Sequence, residues 1–336
     1  MSTAHIVKRV LVCPGQGKTD AKGLLSISKY ATKKLISKLL DRADFVLPQL
    51  KLSQYIRHPG NITDASDLQK TIVQQPLLIL TSYLQNEMFK INHNGLDIVN
   101  TADFMIGHSL GEISSLVLQK VIPFEKGLEI GYKRGQLMQS IVDGNPPMGM
   151  YAVLFQPSHY DLILKMLNEL DVNIANYNTY SQVTVSGEKS ELARKLLMLS
   201  NMLAEHKIWK TRVRSVDLRV QIPFHHPILE PMEQDLAEII GTGRLPALQV
   251  PVISNLDGEI VSENSEEQIR KIIHVTSRPV QLTKCLEHFV GDRQASYEFF
   301  HYGATTQGLV RRFYDDLFKL NRIDEKPHFT NKLVAE

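Results

Sequence analysis

A short apolar run, Phe104-Met105-Ile106, stops at the turn Gly107-His108-Ser109-Leu110-Gly111-Glu112 and passes at once into the helical stretch ISSLVLQK. Strand, tight glycine turn and helix in that order read as α/β with a central, mostly parallel sheet. The same order is the context that a nucleophile elbow requires. There the serine of Gly-x-Ser-x-Gly takes a strained conformation that only small neighbours tolerate, which leaves its hydroxyl exposed beside a helix N-terminus. Backbone N–H groups and the helix dipole at that point favour a developing oxyanion. The string arises by chance in roughly one chain in ten of this length. On these letters alone, a helix start capped by Ser109 therefore stays open.

The surrounding pattern extends the α/β reading. Val7–Cys13 reads as a buried strand broken by Pro14-Gly15-Gln16-Gly17. Leu24–Leu47 carries helical spacing, with Ile36, Leu39 and Leu40 on one side. A further helical stretch from Asp67 to Lys90 contains Pro76, which argues for a start or a kink near Gln75. After the turn formers Asp143–Pro147 the pattern changes. Met150–Phe155, Tyr160–Leu170, Val172–Ala175, Gln182–Ser186, Glu191–Leu203 and Lys207–Val213 give the order βαββαβ, the ferredoxin-like split unit. The expected architecture is an α/β-hydrolase-like large domain, residues 1–146 and 218–336, with a ferredoxin-like small domain, 147–217, inserted. Beyond Pro223, Val250–Ser254, Glu266–Ile273, Tyr297–Tyr302 and Leu309–Leu320 resume the alternation, and the chain ends in a polar tail.

Composition excludes several classes. With 336 residues, 43% hydrophobic and 22% charged, the chain has the profile of a soluble globular protein with a large core. A net charge of +2 argues for neither a nucleic-acid nor a membrane surface. No apolar run reaches the roughly 20 residues of a membrane span. Cys13 and Cys285 do not read as a disulfide framework. MSTAHIVKRVLV runs into a strand without a legible signal or transit peptide.

A serine nucleophile needs a base, usually histidine. His108 adjoins Ser109, but neighbours across such a turn point elsewhere. His225 lies in IPFHHPILEP, a proline-bracketed loop after the strand-like run Val216–Ile222. Its bland alternative is a turn with two solvated histidines, His225 and His226. No HExxH or CxxC spacing supports a metal, and no cofactor is expected. Phe124–Ile141 is helical by period, and Arg134 shares the stripe of Ile130, Leu137 and Ile141. A buried guanidinium must be paired, either with a structural Asp or Glu or with a carboxylate on a substrate. Gly127, Gly131 and Gly135 form a second ridge suited to close helix approach. Residues 14–17 match no phosphate-binding loop, yet a tight turn there could aim N–H groups into the cleft beside the serine.

Together these segments resemble the malonyl-CoA:acyl carrier protein transacylases, the acyltransferase family of fatty-acid and polyketide synthesis. The resemblance runs from PGQG (14–17) to the Gly303 region. It follows the family's order through Gln75-Pro76, GHSLGE (107–112), RGQLMQ (134–139), NYNTYSQVTVSG (176–187), PFHHP (223–227) and RPVQLTK (278–284). It implies that Ser109 takes an acyl group from coenzyme A and hands it to a carrier-protein thiol. It implies that His225 is general base and acid, and that Arg134 pairs with the free carboxylate of malonate. Backbone N–H groups of Gln16 and Leu110 would form the oxyanion hole. The backbone carbonyl of Gln281 would orient the histidine, a dyad in place of a Ser-His-Asp triad.

Three positions depart from the family pattern: Lys18-Thr19 after PGQG, Ile113 after GHSLGE, and Gly303-Ala304-Thr305 in place of a Gly-Pro-Gly turn. None removes a proposed catalytic group. The partners implied are malonyl-CoA and an acyl carrier protein, with no nucleic acid or membrane, and the chain is expected to be a monomer. A chain holding only this domain implies a dissociated synthesis system. Its Asn/Lys/Ser-rich character points to the mitochondrial matrix, with the bacterial cytoplasm as alternative. The rival activity is a serine hydrolase or thioesterase using the same Ser-His pair. The rival outside enzymes is a carrier-binding scaffold with a decayed site.

Overall fold

The computed structural model describes residues 6–17, 21–59, 68, 70–205, 213–241, 243, 245–290, 295–323 and 330–334. Among them ten strands form two sheets: β1 (Ile6–Cys13), β2 (Phe104–Gly107), β3 (Met148–Leu154), β4 (Ile174–Thr179), β5 (Gln182–Glu188), β6 (Arg214–Asp217), β7 (Val252–Ile253), β8 (Ile260–Val261), β9 (Ala295–His301) and β10 (Thr330–Leu333). The larger sheet has six strands in the order β10-β9-β1-β2-β7-β8. Every pairing in it is parallel except the β7–β8 hairpin. Its central strands are near-continuous apolar runs because both faces are covered. Leu11 and Met105 pack on one side, while Val10, Val12, Ile106 and Phe299 pack on the other.

The second sheet, within residues 148–217, is antiparallel in the order β4-β5-β3-β6. With the helices Tyr160–Glu169 and Lys189–Glu205 it makes the ferredoxin-like βαββαβ unit. Period-2 alternation divides its faces. Val183 and Val185 join Val153, Ile163 and Leu192 in one apolar cluster. Thr184 and Ser186, on the opposite face, are buried polar residues, as are Asn176 and Asn178 on β4. That polar face is the wall of the site described below.

The helix Phe124–Val142 lies against the helix Thr71–Asn92 where the glycine ridge permits it. A Cβ on Gly135 would sit 2.9 Å from Ile72 Cα, and one on Gly131 would sit 3.1 Å from Pro76 N. Pro76 does not start the helix at Gln75. The helix runs through it from Thr71, since Pro76 falls in an early turn and frees only the carbonyl of Ile72.

Other sequence expectations shift. Leu24–Leu47 divides into the helices Ala21–Ser28 and Lys34–Val46. Among the described residues the last strand of the small unit is Arg214–Asp217; of the expected strand Lys207–Val213, residues 207–212 lie outside the described ones. The strand-like run to Ile222 therefore ends at Asp217. The polar tail contains β10, an edge strand parallel to β9, and Val334 beside it is buried.

Candidate active site

Ser109 stands between the end of β2 and the helix Gly111–Leu118 with φ +53°, the left-handed region that a serine seldom occupies. Glycines on either side make that geometry possible. A Cβ on Gly107 would lie 2.0 Å from the amide nitrogen of Glu112, and one on Gly111 would lie 2.3 Å from the carbonyl oxygen of Cys13. Both obstacles are backbone and cannot yield.

His225 reaches the serine from the loop after Pro223. It is also in the left-handed region, φ +58°, and its side chain is almost wholly buried. Its Nε2 lies 2.8 Å from Ser109 Oγ and its Nδ1 lies 2.6 Å from the carbonyl oxygen of Val275. A carbonyl only accepts, so Nδ1 carries the proton and Nε2 is free to take one from the hydroxyl. Burial first, then the positive charge of Arg134 and the neighbouring His108, push the His225 pKa down to about 3 against the pull of the Val275 carbonyl. The ring is neutral at neutral pH and ready to act as a base.

The orienting carbonyl is thus Val275, not Gln281. The carbonyl of Gln281 accepts from the amide of Cys285 at 3.1 Å in the first turn of the helix Leu282–Glu287, so it is committed there. Val275 ends the helix Ser265–Val275, and the residue four positions on is Pro279, which has no N–H. Its carbonyl is left to the histidine and to a long 3.4 Å contact from the Arg278 amide.

Arg134 is buried on the inner stripe of its helix, 3% exposed. It donates to Gln75 Oε1 at 3.0 Å, while its Nε has no partner and no carboxylate forms an ion pair with it among the described residues. Burial lowers its pKa to about 10, offset in part by the field of Glu112, and it stays charged. Glu112 is itself fully buried. Its Oε1 accepts from the Asn255 amide at 3.0 Å and from Gln268 Nε2 at 2.8 Å, and burial raises its pKa to about 8.

The remaining predicted residues adjoin this centre. Leu110 precedes the first turn of the Gly111–Leu118 helix, where amides lack intrahelical acceptors. Gln16 follows Gly15, whose Cβ, if present, would lie 2.5 Å from the His108 carbonyl oxygen, so the 14–17 turn lies against the elbow. Gln16 Nε2 donates to Thr71 Oγ1 at 3.1 Å, and Gln74 Nε2 donates to the Gly17 carbonyl at 3.2 Å. Both bonds tie the turn to the start of the Thr71–Asn92 helix. Lys18-Thr19, the first departure, lie outside the described residues. His108 turns away from the hydroxyl, and its Nε2 lies 3.0 Å from Asn178 Oδ1 on the small sheet.

Asn255 was not singled out by the sequence pattern. Its Oδ1 accepts from the Ser109 amide at 2.7 Å and its Nδ2 donates to the Gly107 carbonyl at 2.6 Å, which braces the elbow from both sides. The only local signal is an Asn just past the apolar run that forms β7. Among the described residues, no group of three or more His, Cys, Asp and Glu could hold a metal ion. Both cysteines are buried thiols, and burial pushes their pKa values up.

An acyl transferase domain family model matches residues 10–294. Over 309 residues the chain is 28% identical to the malonyl CoA-acyl carrier protein transacylase of Bacillus subtilis, covering 91% of this chain and 90% of that protein. Its fold is similar to the crystal structure of malonyl-CoA:acyl carrier protein transacylase from Helicobacter pylori, with a TM-score of 0.73, 26% identity, and coverage of 91% of this chain and 92% of that one. The malonyl CoA-acyl carrier protein transacylase structure from Coxiella burnetii aligns with a TM-score of 0.78 at 21% identity, over 98% of this chain and 95% of that one.

Proposed function

The chain belongs to the acyl transferase domain family, and from that premise we propose that it moves a malonyl group from malonyl-CoA to the phosphopantetheine thiol of an acyl carrier protein, supplying fatty-acid synthesis. Ser109 Oγ attacks the thioester carbonyl as His225 Nε2 takes the hydroxyl proton. The tetrahedral oxyanion is met by the amides of Gln16 and Leu110. The C–S bond breaks, the coenzyme thiol leaves with the proton from His225, and a malonyl ester remains on Ser109. In the second half the carrier thiol gives its proton to His225 and attacks the ester, and Ser109 recovers the proton. Throughout, the Val275 carbonyl holds the Nδ1 proton, and Arg134 grips the malonyl carboxylate.

The observation that carries this reading is the buried Arg134, beside the Ser109–His225 pair and without a carboxylate partner among the described residues. An unpaired buried cation is costly, and a substrate carboxylate gives it the partner it lacks. A serine hydrolase for neutral esters would have no use for that charge. Initial velocities with malonyl-CoA and a holo carrier protein both varied test the proposal. Parallel double-reciprocal lines, with transfer far outpacing hydrolysis, are expected. Intersecting lines, or free malonate as the main product, would refute it.

The same reading has the chain acting as a monomer, with malonyl-CoA and carrier protein as partners and neither nucleic acid nor membrane. No helix among the described residues is long and apolar enough to cross a membrane. The relatives named above are bacterial, which favours the bacterial-cytoplasm alternative, and nothing among them supports the mitochondrial matrix.

A further inference from the structure

The carbonyl that orients His225 sits on the last residue of a helix and faces a proline instead of a fourth-neighbour amide, so no helical hydrogen bond fixes it. Two side chains flanking Val275 lead to one carboxylate. His274 Nδ1 lies 2.8 Å from Glu233 Oε2, and Ser277 Oγ donates to Glu233 Oε1. Glu233 opens the helix Glu233–Ile240, which follows directly on the Pro227–Met232 turn after His225. The carboxylate is mostly sheltered, with a side-chain exposure of 14%, and its partner Ser277 is buried, while His274 is partly exposed.

These contacts close a ring. From His225 the chain runs to Glu233; Glu233 grips His274 and Ser277; Val275 between them accepts from His225 Nδ1. We propose that Glu233 is a positioning residue: by binding the residues on either side of Val275, it fixes the carbonyl that sets the tautomer and orientation of His225. This rests on the reading of His225 as the base. Glu233 touches no reacting atom and acts only through the geometry of the dyad. Partners one step behind a catalytic group typically contribute about 10–100-fold, and a misplacement of about 1 Å can cost about a hundredfold.

The test uses single-turnover malonylation of Ser109, followed by rapid quench and intact mass, together with the downfield proton resonance of His225 Nδ1–H. That resonance is identified by its loss in His225→Ala. Glu233→Ala is expected to slow malonylation about 10-fold, leave the half-saturating malonyl-CoA concentration unchanged, and broaden or remove the resonance. Glu233→Gln is expected to restore both. Its carbonyl accepts from Ser277, and its amide donates to His274 with that ring in the other tautomer. Wild-type malonylation in Glu233→Ala, slow malonylation with the resonance intact, or no recovery in Glu233→Gln would each overturn the proposal. If Glu233→Ala does not fold, His274→Ala and Ser277→Ala each remove one tie, and both must weaken the resonance. Full malonylation by His225→Ala would instead refute the dyad itself, a separate outcome.

Discussion

Replacing Arg134 with alanine separates acyl choice from chemistry. In the free protein the guanidinium has, among the described residues, one hydrogen bond, to Gln75, and an unpartnered Nε, and burial draws its pKa down to about 10. A malonyl carboxylate entering the variant would be desolvated with no cation to meet it. Removing one partner of a buried ion pair costs about 3–5 kcal/mol. At 1.36 kcal/mol per decade, that lowers kcat/KM for malonyl-CoA by about 10²–10⁴. Acetyl-CoA has no carboxylate to strand, so its transfer is expected to persist or rise. The assay is transfer of each acyl group to the same carrier under identical conditions, with thermal melting alongside. Because the arginine is imperfectly satisfied in the fold, Arg134→Met, which refills the volume, is expected to melt at or above the wild-type temperature. Unchanged malonyl transfer, or an equal fall in both activities, would refute the assignment.

Four other outcomes follow from the geometry and from burial. The depressed pKa of His225 keeps the base free in mild acid, so malonylation at subsaturating malonyl-CoA is expected to stay flat from pH 7 to pH 5; a histidine at its ordinary value would lose about 25-fold. Folded-state pKa values of His108, His225 and His301 are all lowered by burial, so their contribution is complete above about 6.5 and is lost as pH falls below it, for His225 and His301 toward about 3. Glu112, raised to about 8, acts oppositely and weakens the fold as pH rises from the unfolded carboxylate range through 8; urea midpoints across this span test both signs. Asn255→Ala strands the Ser109 amide and the Gly107 carbonyl at about 1–3 kcal/mol each, so urea unfolding and malonylation are expected to worsen together. Gly111→Ala sets a methyl against the Cys13 carbonyl and should destabilise by about 1–3 kcal/mol or more in the same titration.

The parts legible in the sequence are those written in local spacing. The apolar strand before Ser109, the glycines flanking it, the Arg134 stripe and the βαββαβ alternation each depend on residues a few positions apart. The parts missed depend on where distant segments end in space. Gln281 and Val275 are six positions apart, and only helix ends decide which carbonyl is free: the first is taken by Cys285, the second is released by Pro279. Asn255 braces an elbow 146 positions away, which no periodicity reveals. The strand β10 was hidden because a short edge strand with polar residues has no alternation strong enough to distinguish it from a tail.

The account turns on Ser109 carrying the malonyl group between two thiols. Intact mass of the protein mixed with malonyl-CoA, before and after addition of a holo carrier protein, tests it most directly. The expected result is one malonyl group on wild type, none on Ser109→Ala, and full discharge to the carrier with no accumulation of free malonate. An adduct persisting on Ser109→Ala, or an adduct lost to water rather than to the carrier, would contradict it.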